Sequence, residues 1–586
     1  MRQWMVAAKK ADFYAIAEKF HVDPVVARII RNREVIGEKN IRIYLGGNLS
    51  DLSDPHQMKD MDRLVEILAQ KIRKQVHIRI IGDYDVDGVT SSHLFLTALR
   101  RVGAKVDVVI PHRIQDGYGL SLHLLQQAKE DGVDTILTCD NGIAAIDEIA
   151  WAKAQKMTVL VTDHHAVPFE EHEGRRTEKK SLADAVVNPH QQDCGYPYKE
   201  LCGAGVAWNV IRVLYENYDM DKREAEDLLD FVAMATVCDV MPLTGENRIL
   251  VKEGLKRIRY TKNIGLQALM QACNVQPENI SAYHFGYVLG PCVNATGRLD
   301  TARHALRLFE TGQETEAEEI ARDLVDLNQE RKELTLQGVE MAKKLCEEGG
   351  YENDPVLVLF LPDVHESIAG LIAGRIREMY NRPVFVLTRG EEGVKGSGRS
   401  TENYSMYENM CGCAELFTKF GGHPMAAGLS LPEENVEKFR RKINENCPLT
   451  VEEVCPDIHI DMAMPVGYAS TELVHQFALL EPFGKDNPSP LFADRNLSIS
   501  RMWLIGKNRN VLRMSVLSEY GQPVPVIFFG DVETLFAYFT EKFGQKEVEN
   551  ALHGRKNRIL FSMVYTAKID FYQGNENLQL EMKYYR

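Results

Sequence analysis

Three short apolar runs early in the chain each end in acidic residues. Val76-His77-Ile78-Arg79-Ile80-Ile81 runs into Gly82-Asp83-Tyr84-Asp85-Val86-Asp87-Gly88. Asp134-Thr135-Ile136-Leu137-Thr138-Cys139 runs into Asp140-Asn141-Gly142, and Met157-Thr158-Val159-Leu160-Val161 runs into Thr162-Asp163-His164-His165. Runs of this length and β-branched content read as buried strands. Helix-like stretches at 90–101, 121–129 and 144–156 alternate with them, and a further strand, 106–110, falls in the first gap. This alternation makes a parallel, doubly wound sheet the economical fold. Ligands of such sheets bind at the carboxyl ends of the strands, so the three acidic clusters should converge on one edge. Packed carboxylates repel and are costly to bury, so this density calls for cations. Imidazole beside carboxylate suits Mn²⁺, Zn²⁺ or Fe²⁺.

A calcium loop is the main competitor for 83–88, because Asp-x-Asp-x-Asp-Gly begins the EF-hand pattern. That loop needs a Glu at its twelfth position, which here is Leu94, and it follows a helix rather than a strand. The calcium reading fails on both counts.

A chain of 586 residues is too long for one core. The pattern divides it into a helical arm (1–50), an α/β domain (51–312), a long connector helix (313–349), a second α/β domain (350–450) and a small OB-like β barrel (451–586). The net charge of −15 excludes a generally basic nucleic-acid binder. A nucleic acid would have to be met by a local basic channel or by bound metal. There is no membrane-length apolar run and no signal peptide, and the eleven cysteines include no Cys-x-x-Cys pair. Reduced thiols and a cytoplasmic location are expected. Cys411-Gly-Cys413 is too tight for a metal site and lacks partners.

Along the chain, the arm reads either as a solvated packing element or as a DNA-contacting arm. Arg113 leaves the same sheet edge as the acids, where it would either grip a phosphate or neutralise its neighbours. Gly117 and Gly119 suggest a tight turn. The glycines of 201–207 allow close helix packing, without the spacing of a dinucleotide fingerprint. Asp239, after the apolar helix 231–237, is either a helix end or a fourth metal carboxylate. Asn294 to Arg298 form a polar island. Residues 313–348 carry Ile320, Leu324, Leu327, Leu334 and Met341 at helical spacing and read as a long exposed helix between domains. In the second α/β unit, Lys395-Gly396-Ser397-Gly398-Arg399-Ser400 and Gly421-Gly422-His423-Pro424-Met425-Ala426-Ala427-Gly428 read as glycine-rich turns, or as places of close approach to an anion or a sugar–phosphate chain. The last segment has short strands and one short helix at 473–480. Phe483, Phe492, Trp503, Phe528, Phe529 and Tyr565 are either core or stacking faces for single-stranded bases.

Taken in order, Gly-Asp-Tyr-Asp-Val-Asp-Gly, Thr-Cys-Asp-Asn-Gly, Thr-Asp-His-His and Cys-Asp-Val-Met-Pro-Leu resemble the four motifs of the DHH phosphoesterases. The glycine-rich pair resembles their companion DHHA1 domain. The tail Leu480-Glu481-Pro482-Phe483-Gly484 with a β barrel resembles the branch of bacterial single-strand-specific DNA exonucleases. The resemblance covers the chain from about residue 75 to its end.

It implies two divalent cations, Mn²⁺ or Mg²⁺, on Asp83, Asp85, Asp87, Asp140, His164 and Asp239. Asp140 would bridge the ions, and His165 would face the scissile phosphate. Arg113, Asn294, Arg298, Ser397, Arg399 and His423 fall at substrate-holding positions. It further implies 5′-to-3′ release of mononucleotides from single-stranded DNA in repair and recombination. Separately, with no membrane-length run and no sign of an obligate interface in the sequence, a monomer without membrane contact is expected. Single-strand-binding protein and a recombination helicase are the implied partners. The alternative is a phosphodiesterase of the same family acting on short oligonucleotides or nucleotide phosphates. A non-catalytic scaffold would have lost ligands, and here the set is intact. Two departures stand out: Ser367 replaces an expected glycine in His365-Glu366-Ser367-Ile368-Ala369-Gly370, and Asp486 replaces one before Asn487-Pro488.

Overall fold

The computed structural model describes residues 3–113, 116, 119–172, 175–390, 393–455, 457–506, 509–572 and 574–586. They form two units: 52–456, and a second in which 3–51 joins 457–586.

The first unit is built on five parallel strands: β1 (His77–Ile81), β2 (Lys105–Val109), β3 (Thr135–Cys139), β4 (Thr158–Thr162) and β5 (Ala185–Val187). Their order is β2-β1-β3-β4-β5. The central strands are buried on both faces, which explains their continuous apolar sequences. Helices α1 (Val86–Arg101), α2 (Leu122–Glu130) and α3 (Ile146–Ala154) cross between strands as the alternation requires. Strand order reverses between β1 and β3, so the crevice of this sheet opens where Asp83–Asp87 and Asp140 emerge. The 83–88 loop follows a strand and opens α1, with Asp85 as N-cap accepting from Gly88 N at 3.0 Å. That arrangement is incompatible with an EF-hand. Of the expected turn at Gly117 and Gly119, Gly117 lies outside the described residues; Gly119 has φ +71°.

Helices α4 (Gly203–Asn217), α5 (Leu229–Cys238), α6 (Ile264–Ala272) and α7 (Gly290–Leu299) complete this half. Helix α8 (Glu314–Glu348) is 35 residues long, about 50 Å at 1.5 Å per residue. It is not the exposed rod its charge pattern suggests. Ala317, Ile320, Ala321, Leu324, Val339 and Ala342 form a buried stripe along it. The stripe packs on α6 and α7, then on α9 (Glu366–Tyr380). Gly338 marks the closest approach, since a Cβ there would lie 2.3 Å from Ile372 Cδ1.

The second sheet has the order β9-β10-β8-β7-β6, from β6 (Leu357–Phe360), β7 (Val384–Gly390), β8 (Gly393–Arg399), β9 (Lys419–His423) and β10 (Ala426–Leu431). Most of both glycine-rich stretches therefore lies in strands, with a turn at Pro424 and Met425 between β9 and β10. β8 pairs with both β7 and β10. Its glycines serve one face: a Cβ on Gly396 would lie 2.4 Å from Leu387 Cδ2, and one on Gly398 would lie 2.3 Å from Met406 Sδ. Strand alternation turns Lys395, Ser397 and Arg399 to the other face.

In the second unit, five strands form a closed circuit of pairings: β11 (Phe492–Ile505), β12 (Val511–Leu517), β13 (Pro523–Phe528), β15 (Asn575–Tyr585), β14 (Leu560–Tyr572) and back to β11. The region is not purely β, because α10 (Val532–Phe543) and α11 (Gln545–Leu552) sit between β13 and β14. Phe492, Phe528 and Tyr565 are core, Phe483 and Trp503 are half-buried, and Phe529 is exposed. Three of the six candidate stacking rings are thus unavailable to bases. The N-terminal arm is not solvated: Val25, Val26, Ile29, Ile30 and Tyr44 share this core. Arg33 also pairs with buried Asp461 at 2.7 Å. Asp486 occupies φ +59°, where the family's glycine would be at ease and where Asp is tolerated better than most residues.

Candidate metal centre and phosphate pocket

The edge of the first sheet gathers all seven expected acid and imidazole side chains. Asp83, Asp87, Asp140 and His164 are buried, and Asp85, His165 and Asp239 are partly so. His164 Nε2 lies 3.1 Å from Asp140 Oδ1, 3.6 Å from Asp239 Oδ2 and 3.7 Å from Asp87 Oδ2. Three overlapping sets have ligand atoms within 4.8 Å of one another: Asp83, Asp85 and Asp140; Asp87, His164 and Asp239; and Asp140, His164 and His165.

The backbone supplies part of the support. Asp87 accepts from Gly203 N at 2.6 Å and Ala204 N at 2.7 Å, at the start of α4. A helix N-terminus is a favourable place for a carboxylate. Gly203 is required there, because a Cβ would fall 2.6 Å from Asp140 Cβ. Asp140 sits at φ +60°, a conformation that surrounding structure must impose on a non-glycine residue. Asp239 is both a helix end and a member of the cluster: it caps α5 and reaches His164.

Burial, then Asp85, pushes the Asp83 carboxyl up to about 8. Burial, then Asp87, Asp85 and Asp239, pushes Asp140 well above the usual range, and burial lowers His164. Asp83 Oδ1 and His164 Nε2 are buried and make no hydrogen bond of acceptable geometry. Buried polar atoms are nearly always paired. Orphaned donor atoms facing a knot of carboxylates fit a site made for cations.

Asp163, which the motif reading left without a role, organises the imidazoles. Its carboxylate accepts from Ile143 N, His164 N and His165 N at 2.9, 2.7 and 3.0 Å. It also takes His165 Nδ1 at 2.8 Å. Burial opposes a charge on His165, but Asp163, Asp239 and Asp87 together outweigh it and raise the imidazole to about 9. Asp163 itself is held low despite burial, by His165 and His164. Its place between the apolar run 157–161 and the two imidazoles was the signal available in the sequence.

Beside the acids lies a cavity of about 440 Å³, lined by Tyr84, Arg113, Ser367, Lys395, Ser397 and Lys419 among others. Arg113 stacks over the Tyr84 ring at 4.8 Å. Arg298 donates to Ser367 O at 2.7 Å, and Arg399 to Gly398 O at 2.8 Å. Burial, then Arg113, Arg331 and Arg399, lowers Arg298 to about 10. Burial, then Arg377 and Arg113, lowers Arg399. This is a guanidinium cluster in partial desolvation, suited to an anion with several oxygens. Asn294 is placed differently: its Oδ1 accepts from Val86 N at 3.2 Å, bracing the metal loop. His423 is exposed at the end of β9, beyond the residues that line the cavity. The hydroxyl of Ser367 turns back to His365 Nδ1 at 2.7 Å, so the lost glycine leaves no open space. Tyr84, Lys395 and Lys419 line the cavity and were missed by motif reading.

Comparison with known proteins agrees with this architecture. Residues 77–236 match the DHH family N-terminal domain, 353–447 the DHHA1 domain, and 460–584 the RecJ OB domain. The single-stranded-DNA-specific exonuclease RecJ of Bacillus subtilis is 33% identical over 87% of this chain, which spans 63% of that protein's length. The protein of the same name from Haemophilus influenzae is 32% identical, covering 96% of each chain. The crystal structure of Thermus thermophilus RecJ in complex with Mn²⁺ superposes with a TM-score of 0.81 and 25% identity, covering 100% of this chain and 79% of that one. Among the described residues no helix is long and apolar enough to cross a membrane. On the identity and coverage of these relatives, the chain belongs to the RecJ family.

Proposed function

We propose that the protein is a metal-dependent exonuclease that hydrolyses single-stranded DNA from the 5′ end and releases 5′-mononucleotides. The observation that carries this is the juxtaposition of the carboxylate–imidazole knot and the guanidinium cavity within one unit. Asp83, Asp85, Asp87, Asp140, His164 and Asp239 would hold two divalent cations, Mn²⁺ or Mg²⁺. Such ions supply Lewis-acid charge to the phosphoryl oxygens and lower the pKa of an attacking water.

The chain's own residues do the rest. Arg113, Arg298, Arg399 and Ser397 bind a phosphate, with Lys419 adding charge at the cavity wall, where Lys395 is paired with Glu366 at 2.8 Å. His165, charged and fixed by Asp163, can donate a hydrogen bond to the scissile phosphate from Nε2 and hold a proton for the leaving oxygen. Asn294 and the amides of Gly203 and Ala204 keep the acidic loop in place while the phosphate changes charge. A cavity of about 440 Å³ suits a terminal nucleotide, and this favours action at an end. Single strands arise where a helicase opens duplex and a single-strand-binding protein covers the product. Those are the partner classes the substrate calls for, and the cytoplasm is their compartment.

The test compares rates on a long single strand, a blunt duplex and a dinucleotide. A strong preference for the long strand is expected. Equal rates on duplex, or hydrolysis of dinucleotides alone, would overturn the reading and favour the short-substrate alternative.

A further inference from the structure

Two cysteines that the site does not use meet behind α7. Cys273 caps the end of α6, and Cys292 is the third residue of α7. Their sulfurs are 3.7 Å apart. Cys292 is fully buried, whereas Cys273 is partly open to solvent. Cys292 is held from two further sides: its thiol is 3.3 Å from Val288 O, and Asn328 Nδ2 of α8 donates to it at 3.4 Å. Contact with Cys292 lowers Cys273 against the effect of burial, with help from Lys332; the same contact, with burial, raises Cys292. A partly exposed, thiolate-prone cysteine beside a buried protonated one is the arrangement of an attacking and a resolving thiol.

We propose that Cys273 and Cys292 are a reversible oxidation site whose disulfide disturbs the support of the catalytic edge. The oxidant is a low-molecular-weight disulfide such as oxidised glutathione. The Cys273 thiolate attacks one of its sulfurs, a mixed disulfide forms and one small thiolate leaves. That thiolate takes the Cys292 proton. The Cys292 thiolate then attacks Cys273 Sγ and expels the second small thiolate, which takes up the proton that Cys273 released to solvent. Two protein thiols and one small disulfide become one protein disulfide and two small thiols.

The consequence follows from what else α7 carries. Asn294 braces Val86, Arg298 reaches Ser367, and a Cβ on Gly297 would lie 2.4 Å from Tyr84 O. Drawing the sulfurs from 3.7 Å to about 2.05 Å moves the start of a helix that contacts both the metal loop and the cavity wall. Misplacements of about 1 Å in a catalytic arrangement can cost about a hundredfold.

The experiment treats the full-length protein with oxidised glutathione, alkylates the remaining thiols and maps the peptides by mass. In parallel it measures hydrolysis of a single strand. The expected result is a peptide linking residues 273 and 292, a loss of rate of about tenfold, and recovery of both by dithiothreitol. Neither change should occur in Cys273→Ser. The proposal is overturned if exposed Cys411 becomes glutathionylated while Cys273 and Cys292 stay alkylatable. It is equally overturned if the link forms and the rate is unchanged. The peptide readout does not depend on the exonuclease reading, whereas the rate readout rests on it, so the two can fail separately.

Discussion

The first unit holds two like-charged clusters of opposite sign. At the sheet edge, burial raises carboxyls, with Asp83 reaching about 8. Behind the cavity wall, where Arg298 donates to Ser367 O, burial and neighbouring guanidiniums lower Arg298 to about 10. The two shifts have one cause seen from both sides: charges of one sign are held close together in low dielectric. They differ in how they are held. The acids lean on backbone amides at two helix starts, where the charge is fixed with little freedom. The guanidiniums rest on single carbonyls, of Ser367 and Gly398, and keep donors for something else. Under the proposed function, the acidic edge would hold small cations rigidly and the cavity would grip a phosphate that comes and goes.

Four changes would break or sharpen that contrast. Asp140→Ala should cost most, about a thousandfold in kcat, roughly 4 kcal/mol of barrier. A steady-state assay with saturating strand would show it. Asp163→Asn should follow, at about ten- to a hundredfold, because His165 loses its anchor and its charge. Metal content measured by elemental analysis should stay near wild type, separating orientation from ligation. Arg298→Ala should raise KM about tenfold with a smaller change in kcat, since it removes a charge-assisted contact on the cavity side. Arg399→Lys should fail to substitute for Arg, because a lysine cannot make a bidentate contact.

The smallest effect concerns pH. In chelated protein, folded Asp83 keeps a proton up to about 8 that the unfolded chain releases near about 4. The folded state binds more protons across that window, so stability falls as pH rises through it. Thermal melts in chelator should drop by about 5 °C between pH 5 and 8, and Mn²⁺ should flatten the slope. A slope of the opposite sign would mean that the acids are not buried together.

Much of this was legible in the residues. The three apolar runs had to be strands because they are β-branched and bounded by acids, and parallel order then forced their ends together. Asp239 was ambiguous because a helix end and a metal ligand look alike until His164 is placed beside it. The stretch 395–400 is a strand rather than a turn because Gly396 and Gly398 serve packing within it, and only the neighbours Leu387 and Met406 show it. The arm at 3–51 was misread for a similar reason: its apolar face is covered by strands more than 400 residues away in sequence, as Asn32 reaching Asp461 illustrates. Long-range burial leaves no local signal. Asn294 lay within a polar island of the sequence, yet its role in bracing Val86 depends on a contact across 208 positions.

The most direct test is digestion of a long, internally labelled single-stranded oligonucleotide blocked at one end, with Mn²⁺, Mg²⁺ or chelator. Metal-dependent release of mononucleotides that a 5′ block stops and a 3′ block does not, and that Asp140→Ala and His164→Ala abolish, is the predicted result. Release unaffected by the 5′ block, or persisting in both variants, would contradict the assignment of the acidic edge as the catalytic centre of a 5′-end nuclease.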